Sequence, residues 1–591
     1  SPGRGGYVPP HLRSGGGGGG GYGSSDSDAS DAEGARGSNG SNGDRFGASK
    51  VRTNAALCVS ALARADSRSM HAHWPKLLPT SATQLSARSP TATVVRCALN
   101  DPSPRVRAAA MAATANLLEG PATRRYLAAA EVRTNPKTGA VVRANFASLS
   151  STLGDIARAT HEALTRAVRA EPALSCVPAA CKALGAFHDA APHARLPRDM
   201  IPKSMEAVVR RLNELPTHEG SSQDPEVGAA RVSLLAALTA VLAAKGAPAE
   251  VTGSLSPAPS DTTSVTTTGT SPSLADVLPG LVRYAAGGGG HAAATRCEAF
   301  GALRAAAAAH PAAVAAMLDD DDSFGFRSIL PAKTFATSGS DDGADGAARV
   351  AQASAKLLAE FLAAVGGGGG GGGAGADDDP SHQQHPSHQQ RREKACDEGW
   401  SLPPDELASL WDDVASSQFP AMTLHPSPLV RAAGLSAYAG LTADALAGTS
   451  EANRRTLVDA PRATLANERA PAVRAAACRA IGALAALTTN ESSGSALRDA
   501  LEPSVDLLLR AMKDSAKSVR LPASWAVANV CNTAARRSSI VSAGALAKIA
   551  ESCVAAATQE GDKVRANAAR ALGYLVSAAD FSSEPSSAGL P

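Results

Sequence analysis

Aromatic residues are scarce in this chain of 591 residues: ten Phe, six Tyr and four Trp, 3% of the whole. β-Sandwiches and barrels draw on aromatic and β-branched side chains, so an all-β fold is excluded. Long hydrophobic runs are also missing. The longest apolar stretch lies within 232–244, short of the roughly 18 residues that mark a bilayer-spanning helix, so no membrane segment is expected. Charge of one sign is absent as well: 57 basic residues against 55 acidic ones leave a net +2. Without a strong positive field, nucleic acid is not expected as a direct ligand. Nine cysteines at irregular spacing make no disulfide framework and fit buried thiols of a reducing compartment. No charged-then-apolar leader opens the chain, and the setting expected is cytoplasmic and/or nuclear.

What is abundant is alanine, 128 residues of it, the best helix former. Three stretches are too poor in large apolar side chains to offset the entropy of ordering: residues 1–47 with their poly-Gly run, about 252–273 rich in Ser, Thr and Pro, and 366–398, a Gly/Asp/His/Gln tract. Between them run Ala-, Leu- and Arg-rich segments punctuated by Pro and Gly. The division expected is a disordered tail over 1–47, a helical domain over 48–245, helical repeats with low-complexity interruptions over 246–365, a linker over 366–398, further repeats over 399–580 and a tail over 581–591.

An internal repeat gives the architecture. Val-Arg dyads stand at Val51/Arg52, Val106/Arg107, Val430/Arg431, Val473/Arg474, Val519/Arg520 and Val564/Arg565. The last four follow one another within the window of about 40–47 residues of HEAT and armadillo units. Small or apolar residues recur 4, 7, 8 and 11 places after each Val, as in Ala477, Ala480, Ile481 and Leu484. That period is an amphipathic helix, and its small residues admit a close neighbour. Turns such as Asn100–Pro104 and His425–Pro428 precede two of the dyads, so the unit reads helix, turn, helix. The fold class expected is all-α, a HEAT/armadillo-type α-solenoid in two blocks, 48–365 and 399–580. Asp101 with Arg107, and Asp514 with Arg520, share one offset and are read as a structural ladder, together with Arg431, Arg474 and Arg565, tying successive turns together. His425, Glu468 and Gln559 stand where that ladder calls for Asp, so it is expected to be incomplete there.

The segments 471–484 (PAVRAAACRAIGAL), 518–531 (SVRLPASWAVANVC) and 561–575 (GDKVRANAARALGYL) resemble consecutive repeats of the HEAT repeat-containing protein 6 family. Residues 50–80 and 101–121 are similar to that family's N-terminal domain of unknown function, a similarity that extends to about residue 245. The resemblance implies an α-solenoid adaptor with no assigned catalytic activity, binding other proteins.

Candidates for chemistry are few. Cys176, Cys181, His188 and His193 mimic a zinc set, yet lack the dozen or so residues a finger leaves between its second Cys and first His. Cys176, Ala180, Leu184 and Phe187 instead share a helical stripe. His382, His385 and His388 sit in the Gln-rich linker. His161-Glu162 opens like a zincin helix, but Thr165 stands where the second His belongs. There is no Gly-Lys dipeptide for a P-loop and no GxSxG elbow. No enzyme is expected, and no cofactor or metal. For protein binding, Trp525 and Asn529 lie four apart, as in the ladders with which importin-like armadillo proteins grip basic peptides. The other repeats show Arg479/Ala483, Ser436/Gly440 and Arg570/Tyr574 there, so packing of Trp525 between helices is the simpler reading. Residues 7–13 (YVPPHLR) resemble a short segment of DEAD-box helicase tails, with Tyr7 and Leu12 as possible contacts of a linear docking motif. The function read is a protein-binding scaffold, the alternatives an importin-like receptor or an RNA-associated adaptor.

Overall fold

The computed structural model describes residues 42–89, 93–132, 148–216, 224–244, 274–287, 291–318, 326–337, 343–366, 401–487, 494–536 and 540–578. The chain divides into two compact units, residues 1–51 and residues 52–591. Helix α1 spans Asn42–Ala65. Among the described residues every regular element is a helix.

Within the second unit the helices come as hairpins: α2 (Val94–Asn100) with α3 (Pro104–Leu118), α4 (Leu149–Ala170) with α5 (Val177–Ala190), α6 (Met200–Glu214) with α7 (Pro225–Leu242), and α8 (Leu274–Ala286) with α9 (Ala293–Ala309). Next come α10 (Gly343–Val365), α11 (Pro404–Asp413) and α12 (Pro428–Ser436). Three more hairpins complete the order: α13 (Glu451–Asn467) with α14 (Pro471–Ala486), α15 (Gly494–Ala511) with α16 (Lys517–Arg536), and α17 (Ala543–Gln559) with α18 (Asp562–Ala578). The second helices pack in chain order, α3 on α5, then α7, α9, α10, α12, α14, α16 and α18. First helices stack beside them, α4 on α6 and α13 on α15 on α17. Each element thus buries its apolar stripe only by leaning on the next unit, which defines a HEAT/armadillo-type α-solenoid.

Local chemistry sets the helix boundaries. Pro104, Pro225, Pro428 and Pro471 occupy first helical positions, where the missing N–H has no partner to lose. Thr93 Oγ1, Ser148 Oγ and Asp224 Oδ1 accept from the backbone N–H groups of Arg96, Ser151 and Glu226, capping α2, α4 and α7. The periodic stripe is buried in α14 (Ala477, Ala480, Ile481 and Leu484) and α16 (Ala523, Ala526, Val527 and Val530), but not in α1, where Val51, Ala55, Cys58 and Leu62 are exposed and only Val59 is partly covered. By length and composition α7, with a mean hydropathy of 1.4 over 18 residues, could cross a membrane, contrary to the expectation that no stretch was long enough. Here it is an interior member of the stack, packed between α5 and α9 with Arg231 buried on its flank.

The stack runs unbroken across the low-complexity tract that separates the two blocks in the sequence. α10 packs directly on α12 and on the turn Ala437–Gly440. A Cβ on Gly440 would lie 2.3 Å from the backbone of Leu362, and one on Gly366 2.3 Å from the Gly440 carbonyl. Two residues without side chains let the backbones meet. Apart from Gly366, the tract 366–398 lies outside the described residues, as do Tyr7, Leu12 and the three histidines His382, His385 and His388.

A candidate binding face and its arginine rungs

The turn between the two helices of a unit needs partners for its backbone groups, and an Arg placed just inside the second helix supplies them. Arg107, Arg431, Arg474 and Arg520 each donate from Nη1 to the carbonyl six residues upstream, on Asp101, His425, Glu468 and Asp514, at 2.8–3.4 Å. The rest of each guanidinium reaches forward to the next unit. Arg107 grips Glu171 through Nε at 3.0 Å and Nη2 at 2.6 Å. Arg431 holds Glu468 at 2.9 and 3.1 Å, Arg474 holds Asp514 at 2.8 and 3.0 Å, and Arg520 reaches Glu560 at 3.2 Å. Arg52 holds Asp101 in the same way, at 2.7 and 3.1 Å. Each acid except Glu560 also accepts a hydrogen bond from the backbone N–H two residues on: Ser103, Ala173, Ala470 and Ala516. One carboxylate thus fixes its own turn and captures the preceding Arg, and the planar fork sets the register between units. The Arg474 hydrogen bond holds the Asp514 carboxyl below its ordinary pKa despite burial.

Two of the three departures expected to interrupt the ladder do not. Glu468 carries a full bidentate rung, its extra methylene absorbed by the turn, and Glu560 replaces its neighbour Gln559. At His425 the ring Nδ1 accepts from the Ser427 N–H at 3.0 Å, doing the turn-fixing half of the job without the charge. Arg565, in the last described helix, pairs within its own turn to Asp562.

Two further features lie along the second-helix layer. On α16, Trp525 is half-buried over Gly482 of α14, where an added Cβ would sit 2.5 Å from the ring. Asn529 uses both ends of its amide: Nδ2 donates to the Gly482 carbonyl at 3.0 Å, and Oδ1 accepts from Arg570 at 3.3 Å. The pair therefore interlocks three successive units. Further along the layer an open hollow of about 330 Å³ lies between α5 and α7, floored by Gly185, Ala186, Ala236 and Ala237 and rimmed by Lys182 and Asp189.

The suspected metal set falls apart on different neighbours. Cys181 is buried on α5 with its thiol pushed up to about 12 by burial, and Cys176 Sγ contacts the Pro104 carbonyl at 3.2 Å. His188 and His193 belong instead to a buried polar chain: His193 Nε2 to His188 Nδ1 at 3.2 Å, His188 Nε2 to Ser204 Oγ at 2.9 Å, and Ser204 Oγ to His161 Nε2 at 2.8 Å. Neutral rings satisfy it with one proton each, the direction of donation following from the tautomers. Burial lowers His161 and His193 to about 4 and His188 well below its ordinary value. Among the described residues no group of three or more His, Cys, Asp or Glu side chains is arranged to hold a metal.

Sequence reasoning passed over the units between the dyads. α7 and α9 have Ala230 and Thr295 in place of Val, yet Arg231 and Arg296 follow at once and donate to the Pro216 and Ala285 carbonyls at the ends of their first helices. Counted from Ala230 and Thr295, Leu234, Ala237, Leu238 and Val241, and Ala299, Ala302, Leu303 and Ala306, repeat the buried stripe. An Arg-anchored pattern would have found them.

A family model described as a domain of unknown function, DUF4042, matches residues 50–251. No curated protein matches the chain. Among solved structures, an engineered protein is 15% identical over 89% of this chain and 96% of its own, with a TM-score of 0.35. A designed armadillo repeat protein in complex with the peptide (KR)4 is 16% identical over 50% of this chain and 99% of its own, at 0.28. Kap121p bound to Ste12p is 12% identical over 82% of this chain and 45% of its own, at 0.34.

Proposed function

We propose that this chain is a non-catalytic scaffold that binds other proteins along its second-helix layer, as the resemblance to the HEAT repeat-containing protein 6 family implies, and that it works in the cytoplasm or nucleus. The observation that carries the reading is the set of rungs. The guanidinium groups of Arg52, Arg107, Arg431, Arg474 and Arg520 are spent holding units in register, as a molecule needs when its working part is an extended surface and not a cleft. His161 and His188 face Ser204, and His193 faces His188, inside the stack.

Photo-cross-linking residues placed one at a time on the two layers test this in cell extract. Adducts to protein concentrated at second-helix positions such as Ala186, Ala236 and Ala483, and sparse at first-helix positions such as Thr456 and Glu551, are the expected result. Adducts confined to the first-helix layer, or none at any position, would retire the reading.

A further inference from the structure

Charge is segregated between the two layers in the last four units. α12, α14 and α16 contain no Asp or Glu, and α18 contains only Asp562 at its first position. The acids lie on the first helices, among them Glu451, Asp459, Glu502, Asp506 and Glu551. Of the cations on the second helices, Arg431, Arg474 and Arg520 are consumed by rungs. Arg479 and Arg570 are not. Arg479 has no hydrogen bond or ion pair among the described residues, although it is half-buried and burial alone draws its pKa down. Arg570 meets only neutral acceptors, the Trp525 carbonyl at 3.4 Å and Asn529 Oδ1 at 3.3 Å. A partly desolvated guanidinium without a counter-charge is costly to keep, and an incoming anion would relieve that cost.

Arg479, Trp525 and Arg570 occupy one position of the repeat, six residues after Val473, Val519 and Val564. They therefore line up across three successive layers of the stack, with Ala483, Asn529 and Tyr574 one turn further on. We propose that the surface of α14, α16 and α18 around Arg479, Trp525 and Arg570 docks an extended acidic peptide segment of a partner protein, carboxylates on the two arginines and an apolar residue over the Trp525 ring. The proposal rests on the scaffold reading and names its partner class. Helices pack about 8–10 Å apart, so the two arginines stand roughly 16–20 Å apart. An extended chain rises about 3.3 Å per residue, which sets the acidic positions roughly five or six residues apart. The sign is opposite to that of an importin-like groove: Arg479 and Arg570 would repel a basic signal peptide.

The test uses the full chain and three fluorescent probes: a short peptide with Glu pairs about six residues apart and Leu midway, its Lys counterpart, and an oligouridylate. The Glu peptide is expected to bind, to alter Trp525 emission, and to weaken about tenfold in Arg479→Gln and further in Arg479→Gln/Arg570→Gln, with melting of the Arg479→Gln variant unchanged. Preference for the Lys peptide, indifference to Arg479→Gln, or tighter oligouridylate binding that Arg479→Gln abolishes would each overturn the proposal. A cross-linker at Ala483 separates the two readings. Protein adducts at Ala186 and Ala236 but none at Ala483 leave the scaffold standing and sink the acidic-peptide site, whereas no adducts anywhere sink both.

Discussion

Arg474 and Asp514 are 40 residues apart in the chain, and the guanidinium of the first closes on the carboxylate of the second through two hydrogen bonds of 2.8 and 3.0 Å. Their side chains keep only 18% and 12% of their exposure, so this rung is more than a surface ion pair, whose median value is about 0–1 kcal/mol. Arg474→Met leaves Asp514 short of its counter-charge and strips the Glu468 carbonyl of a donor. A loss of about 2–3 kcal/mol is expected. In a cycle with Asp514→Asn the coupling should be about 1–2 kcal/mol, read from urea unfolding. Additive losses would show the rung to be decorative.

Gly482 takes the Trp525 ring and the Asn529 amide at one point of the α14–α16 contact. Gly482→Ala raises helix propensity by about 1 kcal/mol, but its Cβ would fall 2.5 Å from the ring and 2.9 Å from the Ala526 backbone. Net destabilisation of about 1–2 kcal/mol is expected, since overpacking costs about 1–3 kcal/mol. Trp525→Leu should recover most of it in the double variant. Stabilisation by Gly482→Ala alone would mean that the ring moves aside freely.

The hairpin repeat was legible because four units keep Val, Arg and the small-residue stripe in phase, and the stripe is the physical requirement of stacking. The units around α5, α7, α9 and α10 were harder to see: Ala230 and Thr295 fill the Val site as well as Val does, since only volume is selected there. The identity of the rung acids was misjudged at Glu468 and Glu560 because a flexible turn accepts a carboxylate at either side-chain length or one residue along. Nothing periodic announced the His161–Ser204–His188–His193 chain, which depends on three separate helices and a connecting turn meeting at one point. The Trp525–Asn529 pair was visible as residues, but its engagement with Gly482 and Arg570 is a property of neighbours more than 40 positions away.

The contact of Gly440 with the Leu362 backbone joins residues on either side of the low-complexity tract. Backbone cannot rotate out of the way as a ring can. Gly440→Ala is therefore expected to cost more than Gly482→Ala, about 3 kcal/mol or above. Because it wedges α10 from the turn after α12, unfolding should also split into two transitions by calorimetry, one for each side of the seam. A single transition with an unchanged midpoint would show that this seam does not couple the two halves.

The buried histidine chain makes the molecule sensitive to mild acid. His161 and His193 titrate at about 4 when folded, against about 6.5 in an unfolded chain. Between those values the unfolded state binds more protons, so stability is full above about pH 6.5, falls as the pH drops, and the loss is complete only below the folded values. For His161 alone the loss between pH 7.5 and pH 5 is about 2 kcal/mol. Asp514, whose folded pKa is lowered, acts in the same direction but in a more acidic window, below about pH 4. His161→Gln removes one ring while leaving an amide to face Ser204. The variant is expected to be less stable at pH 7.5 by about 1–2 kcal/mol yet to lose about 2 kcal/mol less than the parent on acidification to pH 5, so the two stability curves converge. Urea unfolding at the two pH values measures both terms, and parallel curves would show that the ring is already protonated in the folded stack.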